Sequence, residues 1–143
     1  MLFGKRKRIV NRILIVEDEP LIAFDHEVLL SDAGYKVVAT LDQFEDAVEK
    51  LGEEKVDLIL SDVRLRGERT GIELARVAQN RGIPILFVTG FPPENAAELA
   101  IGCLMKPFND RKLRLALEAV DRHLAGEKAK PPKGLELYPV VKG

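Results

Sequence analysis

Short apolar runs alternate with longer stretches of helical period along this chain of 143 residues. The runs around Ile13-Leu14-Ile15-Val16, Val37-Val38-Ala39, Leu58-Ile59-Leu60, Ile85-Leu86-Phe87-Val88 and Cys103-Leu104-Met105 predict strands near 13–17, 36–40, 56–61, 83–88 and 102–105. Strands that alternate with helices in this way form a parallel sheet wrapped on both faces, an α/β doubly wound architecture. Helix starts fit the same division. Pro20 suits a first turn and Asn109 an N-cap, while Thr70-Gly71-Ile72-Glu73 and Asp42-Gln43-Phe44-Glu45 have the form of capping boxes. Gly34 and Gly82 are placed to close the first and third helices. Leu113, Ala116, Leu117, Val120 and Leu124 make one stripe, the core-facing side of a last helix from about 110 to 125. Beyond Gly126 the Lys- and Pro-rich stretch reads as a flexible tail over 126–143. Within it, Leu135 to Val141 alternate enough to pair with a sheet edge or a partner, a weaker signal than that of the loose tail.

Polar residues stand at the end of four of these strands. Val16 leads into Glu17 and Asp18, Ser61 into Asp62, Val88 into Thr89 and Met105 into Lys106. Ligands of open α/β sheets bind beyond the carboxyl ends of the strands, so these endings converge on one pocket of three acids, a hydroxyl and an ammonium. Two carboxylates about 5 Å apart repel by about 3 kcal/mol at an effective dielectric near 20, so a cation must sit among them. An all-oxygen set on a rigid sheet edge suits Mg²⁺ better than zinc, and neither His26 nor His123 falls at a strand end. With Mg²⁺ on Asp18 and Asp62, the free oxygen of Asp62 is a nucleophile for phosphorus, and Lys106 and Thr89 are groups for the charge of the transferring phosphoryl. Any one acid or hydroxyl after a strand is more often a helix cap; the joint occurrence at four ends is what carries the reading. No Gly-rich phosphate loop or dinucleotide turn follows any strand, so the phosphoryl group has to arrive already activated.

Charge changes the picture at the N-terminus. Residues 1–12 hold Lys5, Arg6, Lys7, Arg8 and Arg12 without an acid, whereas residues 13–125 hold 13 basic against 21 acidic residues. An acidic body argues against nucleic-acid binding, and the arm at 1–12 is too short to read a sequence, so it is expected to be solvated or to touch a partner. The single cysteine, Cys103, lies in an apolar run and is expected to be buried. No apolar stretch is long enough to span a membrane, which points to a cytoplasmic protein.

Ile15-Val16-Glu17-Asp18-Glu19-Pro20, Leu58-Ile59-Leu60-Ser61-Asp62, Thr89-Gly90 and Lys106-Pro107-Phe108, in this order, resemble the receiver domain of two-component response regulators over about residues 12–125. The resemblance implies a flavodoxin-like fold, with a five-stranded parallel sheet in the order 2-1-3-4-5 and five helices. It also implies Mg²⁺-dependent phosphorylation of Asp62 by a histidine kinase or histidine phosphotransfer protein. By position, Asp18 and Asp62 would be metal ligands with the backbone carbonyl of Arg64, Glu17 would act mostly through water, and Thr89 and Lys106 would bind the phosphoryl group. The Lys106-Pro107 bond is usually cis in such proteins. The stretch Phe87-Val88-Thr89-Gly90-Phe91-Pro92 is similar to the single-domain "FAT GUY" receivers, which act through a downstream protein partner in phosphorelays.

Two departures from that pattern set further expectations. Cys103 stands where the resemblance would put a switch aromatic, leaving Phe91 as the candidate. Only sixteen residues separate Thr89 from Lys106, so the fourth helix should be short or irregular. The expected organisation is therefore an arm at 1–12, a receiver at 13–125 and a tail at 126–143. Two rival readings are a receiver-like binding module that needs no phosphate and an aspartyl phosphatase. The latter is weakened because Arg64, not a second acid, lies two residues after Asp62.

Overall fold

The structure is a computed structural model and describes residues 6–140. Strands β1 (Arg12–Val16), β2 (Lys36–Leu41), β3 (Leu58–Asp62), β4 (Ile85–Thr89) and β5 (Gly102–Met105) alternate with helices α1 (Pro20–Asp32), α2 (Phe44–Glu53), α3 (Gly71–Asn80), α4 (Ala96–Leu99) and α5 (Asp110–Leu124), and β6 (Leu135–Leu137) comes last. The sheet order is β2-β1-β3-β4-β5-β6, parallel throughout except that β6 runs antiparallel to β5.

Side chains alternate across the strands, so each strand feeds two cores. Leu14, Val16, Ile59, Ile85, Phe87 and Cys103 pack under α2, α3 and α4. Ile13, Ile15, Leu58, Leu60, Leu86, Val88 and Leu104 face α1 and α5, meeting Leu30, Leu113, Leu117 and Val120. Being covered on both faces, β3 and β4 are buried along their whole length, which is why they read as unbroken apolar runs.

The helix ends largely match the residues named for them. Gly34 and Gly82 adopt φ of +92° and +72°, and each sits in a Schellman closure: Tyr35 N–H donates to the Leu30 carbonyl, and Ile83 N–H to that of Ala78. Asn109 Oδ1 accepts from Lys112 N–H at 2.8 Å, capping α5. The two capping boxes differ from expectation. Thr70 is the N-cap of α3 and Gln43, not Asp42, that of α2, yet neither makes a side-chain cap bond. Helix α4 is a stump of four residues, as the short Thr89–Lys106 spacing demanded.

Two expectations at the chain ends are corrected. The sheet has six strands, not five, because Leu135–Leu137 of the expected flexible tail pairs with the open edge of β5. An unpaired edge exposes a row of backbone donors and acceptors, and Gly102 lets the added strand come close: a Cβ there would lie 2.6 Å from the Glu136 carbonyl oxygen. Lys5, like residues 1–4 and 141–143, lies outside the described residues, but Arg6, Arg8 and Arg12 of the basic arm are engaged with the body. Arg6 bonds Asp121 and Glu127, Arg8 stacks 3.8 Å over the Tyr35 ring, and Arg12 opens β1 and pairs with Glu54.

Candidate functional site

Strands β1, β3, β4 and β5 end at the same edge of the sheet, and the residues at or just after their ends gather there. Carboxylate oxygens of Glu17, Asp18 and Asp62 lie within 4.8 Å of one another. Lys106 Nζ donates to Asp62 Oδ2 at 2.7 Å and reaches Glu17 Oε1 at 3.5 Å. Glu17 and Asp62 are buried, and Asp18 is half-exposed. Backbone donors fix the carboxylates: Glu19 N–H donates to Glu17 Oε2 at 3.1 Å, and Arg64 N–H to Asp62 Oδ1 at 3.1 Å. Thr89 is buried at the end of β4, its Oγ1 accepting from Phe91 N–H at 3.1 Å. Phe91 itself is 87% exposed. The Lys106-Pro107 bond is cis.

The electrostatics are those of an under-neutralised acid cluster. Burial, with Asp18 and Asp62 as neighbours, pushes the Glu17 carboxyl up to about 7, against the opposing pull of Glu19 N–H and Lys106. Burial disfavours the charged form of Lys106, but its bonds to Asp62 and Glu17 outweigh this and hold it above its ordinary value. One ammonium facing three carboxylates leaves room for more positive charge. The donor set is all oxygen, on strand ends, beside a cleft of about 390 Å³ lined by Glu17, Asp18, Phe24, Glu27, Thr40 and Asp42 among others. This chemistry fits a hard divalent cation such as Mg²⁺. His26 is elsewhere, buried in a stack on Phe108, where burial and the charge of Lys106 lower its basicity.

The structure thus brings Glu17, Asp18, Asp62, Thr89 and Lys106 to one edge, with Arg64 contributing its N–H and Phe91 on the rim. One contributor escaped sequence reasoning. Gly71 packs so tightly on the β3–α3 loop that a Cβ would come 2.2 Å from the Asp62 carbonyl oxygen, and its N–H donates to the Val63 carbonyl at 2.7 Å. Thr70-Gly71 read as part of a cap, and only the fold reveals that the glycine presses against the peptide of Asp62.

Fold and site together define a flavodoxin-like α/β protein whose polar site lies at the carboxyl edge of its parallel strands. Residues 13–118 match the response regulator receiver domain family, to which the chain belongs. The transcriptional regulatory protein PdtaR of Mycobacterium tuberculosis is 35% identical, over 92% of this chain and 69% of its own length. Among solved structures, the chemotaxis response regulator CheY4 of Vibrio cholerae superposes with a TM-score of 0.67 at 30% identity, over 78% of this chain and 98% of that one. The response regulator PhyR of Brucella abortus gives 0.69 at 28% identity, over 84% of this chain, which spans about half of the PhyR chain at 51%. The family is one of signalling regulators. Among the described residues no helix is long and apolar enough to cross a membrane.

Proposed function

We propose that the chain is a phosphoacceptor, with Asp62 taking a phosphoryl group from a phosphohistidine on a histidine kinase or phosphotransfer protein. The observation that carries this reading is the convergence on Asp62 of a lysine at 2.7 Å and two further carboxylates within 4.8 Å. In the transfer, a carboxylate oxygen of Asp62 forms the new O–P bond as the P–N bond to the donor imidazole breaks, and the imidazole leaves with the electron pair and takes up a proton. Lys106 offers its ammonium to the oxygens of the group in flight, and the Thr89 hydroxyl is a donor for one of them. Asp18 and Asp62, with the Arg64 carbonyl, would hold Mg²⁺, and Glu17 would act through water. The ion would supply positive charge against the phosphoryl oxygens.

The donor has to bring its histidine to this edge, and α1 offers a surface beside it. Leu21, Phe24 and Val28 stand 82%, 62% and 43% exposed on one face of the helix, and Phe24 also lines the acidic cleft. An exposed apolar stripe next to a charged site suits an apolar helix of the donor protein. Output then passes by contact to a downstream protein in the cytoplasm, with no turnover of a substrate. The test is intact mass after incubation with Mg²⁺ and a small acyl-phosphate donor. The wild type should gain one phosphoryl group, and Asp62→Ala none. Absence of an adduct with every donor would overturn the reading in favour of a receiver-like module that binds without phosphate.

A further inference from the structure

Strand β6 is short, and it is tied to Met105, the neighbour of Lys106, which handles the phosphoryl group in the proposed function. It pairs Leu135 with Leu104, Glu136 with Cys103 and Leu137 with Gly102. Three bonds hold its ends: Met105 N–H donates to the Gly134 carbonyl at 2.8 Å, Tyr138 N–H donates to the Ile101 carbonyl at 2.9 Å, and His123 Nε2 of α5 meets the Tyr138 carbonyl. Met105 directly precedes Lys106, whose own N–H donates to the Thr89 carbonyl at 3.0 Å. The first anchor of β6 is therefore one peptide unit from Lys106, and the next bond along leads to Thr89.

The far end of the strand fills the core. Tyr138 is 9% exposed and packs in the cluster that contains Leu99, Ala100 and Cys103. With α4 reduced to four residues, this aromatic ring from the chain's end covers ground on that side of β4 and β5. A three-residue strand at the edge of the sheet, paired on one side only, is the shortest member of the sheet, and such elements open first.

We propose that β6 is a latch on the β5 edge that loosens when Asp62 is phosphorylated, and that the uncovered edge takes an extended segment of a partner protein in place of β6. The inference rests on the phosphoacceptor reading. Lys106 leaves Asp62 and Glu17 to track the phosphoryl oxygens, Thr89 turns from Phe91, and the end of β5 shifts against Gly134. The present occupant states what the edge accepts: a strand alternating Leu135 and Leu137 inward around an exposed Glu136, then an aromatic side chain.

Cys103, the only cysteine, reports the latch because it is 1% exposed, pairs with Glu136, and has a thiol that burial pushes up to about 11. Thiol labelling of the full chain in Mg²⁺ should accelerate about tenfold when the phosphoryl donor is added, in step with the open population, and Asp62→Asn should show no acceleration. Tyr138→Ala should raise the rate without any donor. Glu136→Pro should do the same while leaving the buried Leu135 and Tyr138 intact, because proline denies β6 a backbone donor. A labelled peptide of residues 133–140 should bind the phosphorylated chain and not the unmodified one. If the mass adduct forms while labelling and peptide capture stay unchanged, the latch is overturned and the phosphoacceptor reading stands. If no adduct forms, the phosphoacceptor reading falls and takes the coupling with it.

Discussion

Asp121 holds the N-terminal arm to the body, and removing its carboxylate should cost about as much as truncating a buried core side chain. It lies on α5 with 1% exposure and accepts from Ile9 N–H at 3.0 Å and Val10 N–H at 2.7 Å, with Arg6 on its other oxygen. Asp121→Ala leaves both amide donors without an acceptor, one of them on the buried Val10. At roughly 1–3 kcal/mol for each unsatisfied donor, the loss should be about 3–4 kcal/mol. The Arg6 pair is left out of this figure, since its side chain is part-buried at 24% exposure and keeps Glu127 as a second carboxylate partner. For a chain of 143 residues that corresponds to a fall of about 10 °C in Tm. Asp121→Asn keeps one accepting oxygen and should lose about half as much.

Urea denaturation monitored by circular dichroism measures the loss, with an unchanged m-value showing that the unfolded state is not the cause. Trypsin provides a local readout. Cleavage after Arg6, Lys7 and Arg8 should be faster in Asp121→Ala than in the wild type under native conditions, because the arm opens before the domain does. Phosphoryl uptake at Asp62 should persist, since the arm enters at the amino end of β1 and the pocket lies beyond the carboxyl ends of the strands. A loss below about 1 kcal/mol, or equal cleavage of the arm in both proteins, would refute the assignment of Asp121 as the arm's anchor.

The pocket sets the remaining expectations. Glu17, raised from 4.5 to about 7, favours the protonated form in the folded state; without divalent cation its contribution is full below pH 4.5 and fades as pH rises through 7. It amounts to about 3 kcal/mol, so wild type and Glu17→Gln should diverge over that window in urea titrations, and a constant difference would contradict it. Lys106→Ala removes the one ammonium competing for the three carboxylates, so calorimetry should find Mg²⁺ bound about tenfold more tightly while phosphoryl uptake slows; weaker Mg²⁺ binding would count against the arrangement. Gly71→Ala drives a Cβ to within 2.2 Å of the Asp62 carbonyl oxygen and should cost roughly 1–3 kcal/mol in thermal denaturation, with slower phosphoryl uptake; an unchanged Tm would show that the loop yields freely.

The features that could be read from the chain and those that could not divide along a physical line. The alternation of five strands with helices and the gathering of Glu17, Asp18, Asp62, Thr89 and Lys106 at one edge were legible from local periodicity plus one rule about where strands of an open sheet end, whereas the order of those strands and the shortness of α4 came only from the resemblance to receiver domains. The capping boxes were over-read: Thr70 begins α3, but the close packing of Gly71 on the Asp62 and Val63 peptides sets that turn, not a hydroxyl bond. Asp121 carried no signal of its own in the sequence, since its partners Ile9 and Val10 lie more than a hundred positions away. His123 gave no signal beyond its place off the strand ends, since its partner, the Tyr138 carbonyl, lies on the last strand. Strand β6 showed only as a weak alternation after a stretch of lysines and prolines that favoured a loose tail, and its pairing depends on β5 presenting an open edge with Gly102 to admit it.

These illegible contacts share a form, in that each ties one end of the chain to α5 or β5, through Asp121 for the arm and through His123, Gly102 and Met105 for the last strand. A receiver sheet is specified by patterns that recur along the chain, whereas its terminal attachments depend on single residues far apart. The acid pocket lies within residues 13–118, which match the receiver family, and the attachments to α5 and β5 join the two ends of the chain to that body. Substitutions in the pocket should act on phosphoryl uptake, and substitutions at Asp121 or Tyr138 on what the arm and the last strand do once the group is in place.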